Sequence, residues 1–255
     1  MSIYVTGDTH GNLTRFSIDS FYEQKEMTNQ EDNYMIVLGD FGRVWDQEES
    51  KDEKWWINWL ENKPFYTLFV DGNHENFDRL YQYPVKEWHG GLVHEIRPHV
   101  LHLMRGQVFN IEELLFFTFG GASSHDIHDG ILDCEDPNWK EKAKALDKQG
   151  KYMYRIKGLS WWPQELPTEE EMQTGIDNLT KHNNKVDFIL SHSPSTSELY
   201  LMGGKGLYEP DMLTNYLEEI KATTEYKRHL FAHMHVNKAI NDRDICLYEQ
   251  IIRIN

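Results

Sequence analysis

The sequence predicts an α/β fold that carries two sheets, and three observations predict it. Apolar, strand-like runs alternate with helical stretches through roughly the first ninety residues, a βαβαβ order that implies a parallel sheet with right-handed crossovers. Between Leu92 and Phe119 the pattern changes to short alternating segments, as expected of a second sheet. Five polar motifs each follow an apolar run directly: Asp8-Thr9-His10-Gly11, Gly39-Asp40, Gly72-Asn73-His74-Glu75, His192, and His233-Met234-His235. Side chains gathered at the carboxyl ends of strands line the crevice where open α/β folds do their chemistry.

The elements follow in order. Ile3–Thr6 reads as a short buried strand, and Leu13–Lys25 as a helix bearing Phe16, Phe21 and Tyr22, with Asn12 as its cap. Tyr34–Leu38 is a continuous apolar run, the mark of a strand covered on both faces. Trp55–Leu60 is an aromatic helix that packs on a sheet face, ended by Pro64, and Phe65–Val70 is the third strand. His99–Met104, Gln107–Ile111 and Leu114–Phe119 read as a meander of the second sheet, with His94, His99 and His102 decorating it. Gly120–Gly158 is a looser, polar stretch with one helical patch near Lys140–Lys148. Thr168-Glu169-Glu170-Glu171 is a capping box before Met172, Ile176 and Leu179 at helical spacing. Val186–Leu190 and Lys227–Ala232 are strands, Pro210–Lys221 is helical, and Ile245–Ile254 holds closing strands. Without a repeat or a clear linker, one domain over 1–255 is expected.

Composition limits the function. The 255 residues are 39% hydrophobic and suffice for one sizeable core, and no stretch approaches the roughly 18 apolar residues of a membrane span. Cys134 and Cys246 are too few for a disulfide framework, and no leader precedes Ser2–Val5, so a reduced, cytoplasmic protein with no membrane partner is expected. A net charge of −16 opposes nonspecific nucleic-acid binding. It does not oppose a small phosphate ester, because divalent ions would make the site itself positive.

Asp8 and His10 lie two residues apart at a strand end, where alternation would point both to one face. His233 and His235 repeat that spacing. Asp8, His10, Asp40, Asn73, His192, His233 and His235 offer carboxylate, amide oxygen and imidazole, a set that suits manganese, iron, zinc or nickel. Seven ligands exceed one tetrahedral ion and fit two divalent ions if Asp40 bridges, and His74 is left over.

With these motifs the chain resembles the calcineurin-like metallophosphoesterases, whose pattern is Asp-x-His, Gly-Asp, Gly-Asn-His-Glu, a lone His, and Gly-His-x-His. The stretch Asp71-Gly72-Asn73-His74-Glu75-Asn76-Phe77-Asp78 is most similar to bacterial and phage-associated members. The resemblance implies a four-layer α/β/β/α sandwich of two mixed sheets. It assigns Asp8, His10, Asp40 and His235 to one metal, and Asp40, Asn73, His192 and His233 to the other, with His74 beside the substrate. Two departures stand out. Ala232 replaces the Gly of the last motif, and Phe41-Gly42-Arg43-Val44 lacks the spaced Asp-Arg pair of protein Ser/Thr phosphatases, which leaves no acid to orient His74.

Two ions about 3.5–4 Å apart would clamp an in-line displacement and bring a bridging hydroxide to neutral pH. The expected activity is hydrolysis of phosphate monoesters with manganese as the first choice of metal, that hydroxide as nucleophile and His74 as general acid. The substrate would be a small phosphorylated compound or a phosphoprotein. A phosphodiesterase acting on nucleotides or oligonucleotide ends is the alternative, and a non-catalytic metal-binding scaffold a distant one. Arg43, Arg79 and Arg105 could each hold a phosphate oxygen, although charged surroundings usually mean a solvated arginine. His125, in the polar run His125–Asp129, is placed at the rim of the cleft as a substrate contact, and Trp161-Trp162-Pro163 in the core or the cleft wall.

Overall fold

The computed structural model describes residues 1–203 and 209–255. In chain order the strands are β1 Ser2–Thr6, β2 Asn33–Leu38, β3 Tyr66–Val70, β4 Val85–Trp88, β5 Gly91–Arg97, β6 Val100–Leu103, β7 Gln107–Ile111, β8 Leu114–Phe119, β9 Gly130–Asp133, β10 Tyr154–Lys157, β11 Phe188–Ser191, β12 Arg228–Phe231, β13 Lys238–Ala239, β14 Asp244–Cys246 and β15 Ile252–Arg253. The helices are α1 Lys51–Glu61, α2 Phe77–Leu80, α3 Trp139–Lys148, α4 Glu169–Lys181, α5 Thr196–Leu201 and α6 Met212–Thr223. One sheet has the order β15-β1-β2-β3-β6-β5-β4, the other β13-β14-β12-β11-β8-β7, and β9 pairs with β10 apart from both.

Alternation along the strands builds the layers. Ile3 and Val5 of β1, Ile36 and Leu38 of β2, and Leu68 and Val70 of β3 meet Phe109, Phe116, Leu190 and Leu230 of the second sheet in one fully buried core. The other faces of the same strands send Tyr4, Met35, Val37 and Phe69 against Ile57 and Leu60 of α1. Beyond the second sheet, Phe117 and Ile189 pack on Leu179 of α4 and Leu217 of α6. The result is the α/β/β/α layering, with a period-2 pattern covered on both faces. Among the described residues no helix is long and apolar enough to cross a membrane.

Several expectations are corrected. Leu13–Lys25 is not an α-helix but two short 3₁₀ turns, Thr14–Phe16 and Tyr22–Glu26. Side chains take the carbonyls that a helix would use: the Gln24 amide donates to Phe16, Ser17 and Phe21, and Lys63 Nζ donates to Phe16 at 2.6 Å. The segment read as His99–Met104 belongs to the first sheet, because β6 pairs in parallel with β3 and only β7 and β8 enter the second. The stretch after Gly120 holds β9 and β10 as well as the expected helical patch, and α5 was not foreseen. The capping box at Thr168 and Glu171 is present. In α1, Trp56 and Trp59 pack on the core and Trp55 is exposed.

His94 and His102 do not decorate the second sheet; both are buried on the first. His94 Nδ1 lies 2.9 Å from His102 Nδ1, whose Nε2 lies 3.0 Å from Asp71 Oδ1. Burial, with His102 adding to it, lowers the His94 pKa to about 3. The unfolded chain therefore binds a proton at His94 near the ordinary value while the folded chain does not, so this residue costs stability as pH falls from 6.5 toward 3. His94→Gln, which cannot titrate, is expected to lose less melting temperature than the wild type between pH 7 and pH 4 in thermal unfolding followed by circular dichroism. An equal loss would show that His94 does not set the acid limit.

Candidate metal centre

Five turns that follow parallel strands meet at one edge. The turn after β1 carries Asp8 and His10, that after β2 Asp40, that after β3 Asn73 and His74, that after β11 His192, and that after β12 His233 and His235. Alternation does not place Asp8 with His10, as β1 ends at Thr6 and the pair sits in the turn beyond. Instead His10, Asp40, His233 and His235 all adopt left-handed backbone, with φ of 44°, 44°, 65° and 49°. Non-glycine residues hold that conformation only where surrounding contacts enforce it. Here the Asp40 carbonyl accepts from the amides of Thr9 and His10, and Phe41 O accepts from Gly11. Glu75, wholly buried, ties the β2 and β3 turns together by accepting from the amides of Phe41 and Gly42.

The ligand atoms fall into two groups that share Asp40. Asp8, His10, Asp40 and His235 form one and Asp40, His192 and His233 the other, each with its atoms within 4.8 Å of one another. His235 Nε2 lies 3.0 Å from Asp8 Oδ2 and 2.9 Å from His10 Nε2, and His192 Nε2 lies 3.4 Å from Asp40 Oδ1. Among the described residues, buried Asn73 Oδ1 has no hydrogen-bond partner, while Asp8 Oδ2 and His192 Nε2 meet only other members of the cluster, His235 and Asp40. Each is a lone-pair donor. The other end of each group is spoken for, with His192 Nδ1 at 2.7 Å from Leu38 O and Asn73 Nδ2 donating to Ser124 Oγ, itself held by Glu165. Such outer partners turn the remaining atom toward an ion. Oxygen and imidazole donors of this kind fit two divalent cations, and their burial without partners outside the cluster is what a cation would relieve.

The charges point the same way. Burial alone would raise Asp40, yet His192, His74 and His10 hold it well below the usual carboxylate range. Against the opposing pull of burial, Asp40 and Asp8 push His192 up to about 9. Burial, with Asp40 second, raises Glu75 well above the ordinary value. A divalent ion would take the place of the proton on His192.

His74 lies outside both groups. Its amide donates to Asp40 Oδ1 at 2.8 Å, its ring stacks on Trp45 with centroids 5.6 Å apart, and Nε2 lies 3.1 Å from Arg155 Nη2. A guanidinium only donates, so Nε2 accepts and the ring is neutral in this arrangement. Burial lowers its pKa to about 4, with Asp40 opposing and Arg155 reinforcing. The missing acid is thus replaced by a cation. Arg155 was not foreseen, because no motif marks an arginine brought in from a remote strand. Ser124 and Glu165 were missed for the same reason.

The other sequence candidates are placed as follows. Exposed His125 stands beside His233, ring centroids 5.9 Å apart, at a cleft of about 300 Å³ lined also by Ser123, Ile127, Pro194 and Leu199. A larger groove of about 620 Å³ around Arg15 and Glu249 contains none of the cluster residues. Arg43 pairs with Asp52 and lies over Trp56. Arg79 is bound by Glu53 and Arg105 by Asp71, so both serve the interior rather than solvent or substrate. Trp162 is buried behind Trp45, and Trp161 is half-buried. A third group, Glu198, His229 and Asp244, already encloses a cation, since Lys221 Nζ bonds both carboxylates.

The family model for calcineurin-like phosphoesterases matches residues 1–237. No curated protein matches the chain.

Gly39 is the point where crowding is most exposed to test. A Cβ there would stand 2.3 Å from the His192 ring on a backbone of φ +91°. Gly39→Ala is expected to displace His192 and release one of two bound ions, counted by mass spectrometry after dialysis. Two tightly held ions in this variant would show that His192 is no ligand.

Proposed function

The chain belongs to the calcineurin-like phosphoesterase family, and we propose that it is a dinuclear-metal phosphomonoesterase acting on small phosphorylated substrates. The family typically uses a dinuclear metal centre. The observation that carries the reading is the sharing of Asp40 between two ligand groups, beside which Asn73 Oδ1 is buried without a partner and Asp8 Oδ2 and His192 Nε2 meet only other cluster members. Asp8, His10, Asp40 and His235 would hold one ion, and Asp40, Asn73, His192 and His233 the other, with manganese the first choice and iron, zinc or nickel compatible. When bound, the ions would supply an activated water at neutral pH and Lewis-acid charge for the phosphoryl oxygens.

The protein's own groups do the rest. Asp40 fixes His74 through the His74 amide, and Trp45 fixes the ring plane. His74 starts neutral, and the negative charge of a bound phosphate ester beside it favours uptake of a proton from solvent at Nε2 to give the imidazolium. It then delivers its proton to the departing alkoxide. The acidic surface keeps polynucleotides away, which favours small esters over nucleic-acid diesters.

The test is turnover of p-nitrophenyl phosphate beside bis-p-nitrophenyl phosphate, after reloading the apo-protein with manganese, iron, nickel or zinc in turn. Metal-dependent turnover that favours the monoester and vanishes in Asp40→Asn is expected. Preference for the diester would select a phosphodiesterase, and two bound ions without turnover of either would select a scaffold. His74→Ala should keep both ions and lose roughly 10²–10⁴ in kcat, most severely for alkyl esters with poor leaving groups. Unchanged turnover of an alkyl ester would remove His74 from the mechanism.

A further inference from the structure

Between β8 and α4 the chain leaves the second sheet, builds β9, α3 and β10, and brings Arg155 back to the edge of the cluster. Arg155 is 9% exposed. Its Nε donates to Asp126 Oδ1 at 2.7 Å, its Nη1 to Ser160 O at 2.9 Å, and its Nη2 faces His74 Nε2 at 3.1 Å. The guanidinium is therefore fixed on two edges, with the third turned to the imidazole that borders the metal groups. Arg43, Arg79 and Arg105 are each engaged by a carboxylate away from His74, whereas Arg155 touches it.

We infer that Arg155 is a specificity-determining substrate contact, which receives the unesterified oxygens of a phosphate monoester beside His74 and disfavours diesters. The inference rests on the monoesterase reading above. Near neutral pH a monoester carries close to two negative charges, and its terminal oxygens are strong acceptors. With Nε and Nη1 held by Asp126 and Ser160 O, Arg155 has Nη2 left to offer them, a charged donor fixed in direction. The Nη2 edge now spent on His74 Nε2 is a weak pairing of a cation with a neutral ring, and a phosphate oxygen is a far better partner. Taking Nη2 onto the phosphate also frees Nε2 to face the leaving oxygen. A diester has one negative charge fewer, and its second organic arm must stand where the nearly buried guanidinium leaves little room. Asp126 and Ser160 O are the positioning groups that keep the fork from turning with the substrate.

The test compares metal-loaded wild type, Arg155→Gln and Arg155→Lys. It measures kcat/KM on p-nitrophenyl phosphate, kcat/KM on bis-p-nitrophenyl phosphate, and calorimetric affinity for inorganic phosphate, with bound metal counted for each protein. Arg155→Gln should keep its ions, lose on the order of 10²–10³ on the monoester, lose about tenfold or less on the diester, and bind phosphate more weakly. Arg155→Lys should fall between, since it keeps the charge without the fork. Equal losses on both esters with unchanged phosphate affinity would overturn the inference and leave Arg155 a loop-holding residue. A wild type that turns over only the diester would overturn the monoester reading instead, while the phosphate titration would still judge Arg155: equal affinity in wild type and Gln variant refutes it. Should the Gln variant lose its cooperative melt, the Lys variant decides, an unchanged monoester-to-diester ratio counting against and a fallen ratio in favour.

Discussion

The site depends on the placement of one residue, Asp40, at the end of β2. Its carbonyl takes the amides of Thr9 and His10, which bends the turn after β1 into the centre, and its carboxylate takes the amide of His74 from the turn after β3. The same carboxylate belongs to both ligand groups. A left-handed φ at this residue is uncommon outside glycine, although Asp tolerates it better than most, and here contacts from neighbouring turns hold it. The crowding around it is measurable: a Cβ at Gly72 would stand 2.0 Å from Asp40 Oδ1, and one at Gly39 would strike the His192 ring. Both glycines are needed for close approach. The two sheets matter to the chemistry chiefly because they bring the ends of β1, β2, β3, β11 and β12 to this point.

Buried charge then decides what the centre can accept. Asp8 and Asp40 are almost wholly inside the protein, and without cations they favour protons on His192 and His235, whereas burial disfavours protons on His10 and His233. Burial raises the Glu75 pKa well above the ordinary value, the amides of Phe41 and Gly42 oppose that rise, and through those amides the carboxyl shapes the β2 turn. The interior cluster of Glu198, Asp244 and Lys221 shows the alternative solution, a carboxylate pair neutralised permanently by a lysine. The candidate centre has no such resident ammonium: among the described residues its carboxylates meet imidazoles and the backbone amides of His74 and His233. That difference separates a cluster open to cations from one whose cation is already supplied by the chain.

Much of this was legible in the sequence, and the parts that were not share a cause. Strands such as Tyr34–Leu38 declare themselves because burial on both faces demands unbroken apolarity. The ligands declare themselves because each sits directly after such a run. By contrast, Phe16 and Phe21 imitate a helix over Leu13–Lys25, where long-range partners such as Lys63 capture the carbonyls and break it. The assignment of Val100–Leu103 to the first sheet depends on pairing with Thr67–Phe69, which local alternation cannot encode. The left-handed turns follow from contacts between segments thirty or more residues apart. Arg155 and Ser124 reach the site in the same non-local way; Ser124 adjoins the His125 that the sequence placed at the cleft rim, whereas nothing beside Arg155 marks it.

This non-locality divides the labour in the molecule. The strand-end ligands are fixed by short turns on a packed scaffold, where each side chain has little freedom. The excursion after β8 contributes differently: Ser124 and Glu165 turn the Asn73 amide so that its oxygen faces the centre, and Arg155 borders His74 from outside the ligand set. Loops carried by a rigid scaffold can change without disturbing the core, which is why specificity commonly resides in them. A metal pair held by the sheets can polarise any phosphoryl oxygen, and it has no means of telling one ester from two. Discrimination requires a donor placed where the second ester arm would lie. On the reading proposed above Arg155 would be that donor, and its guanidinium is anchored by Asp126 and Ser160, both within the excursion.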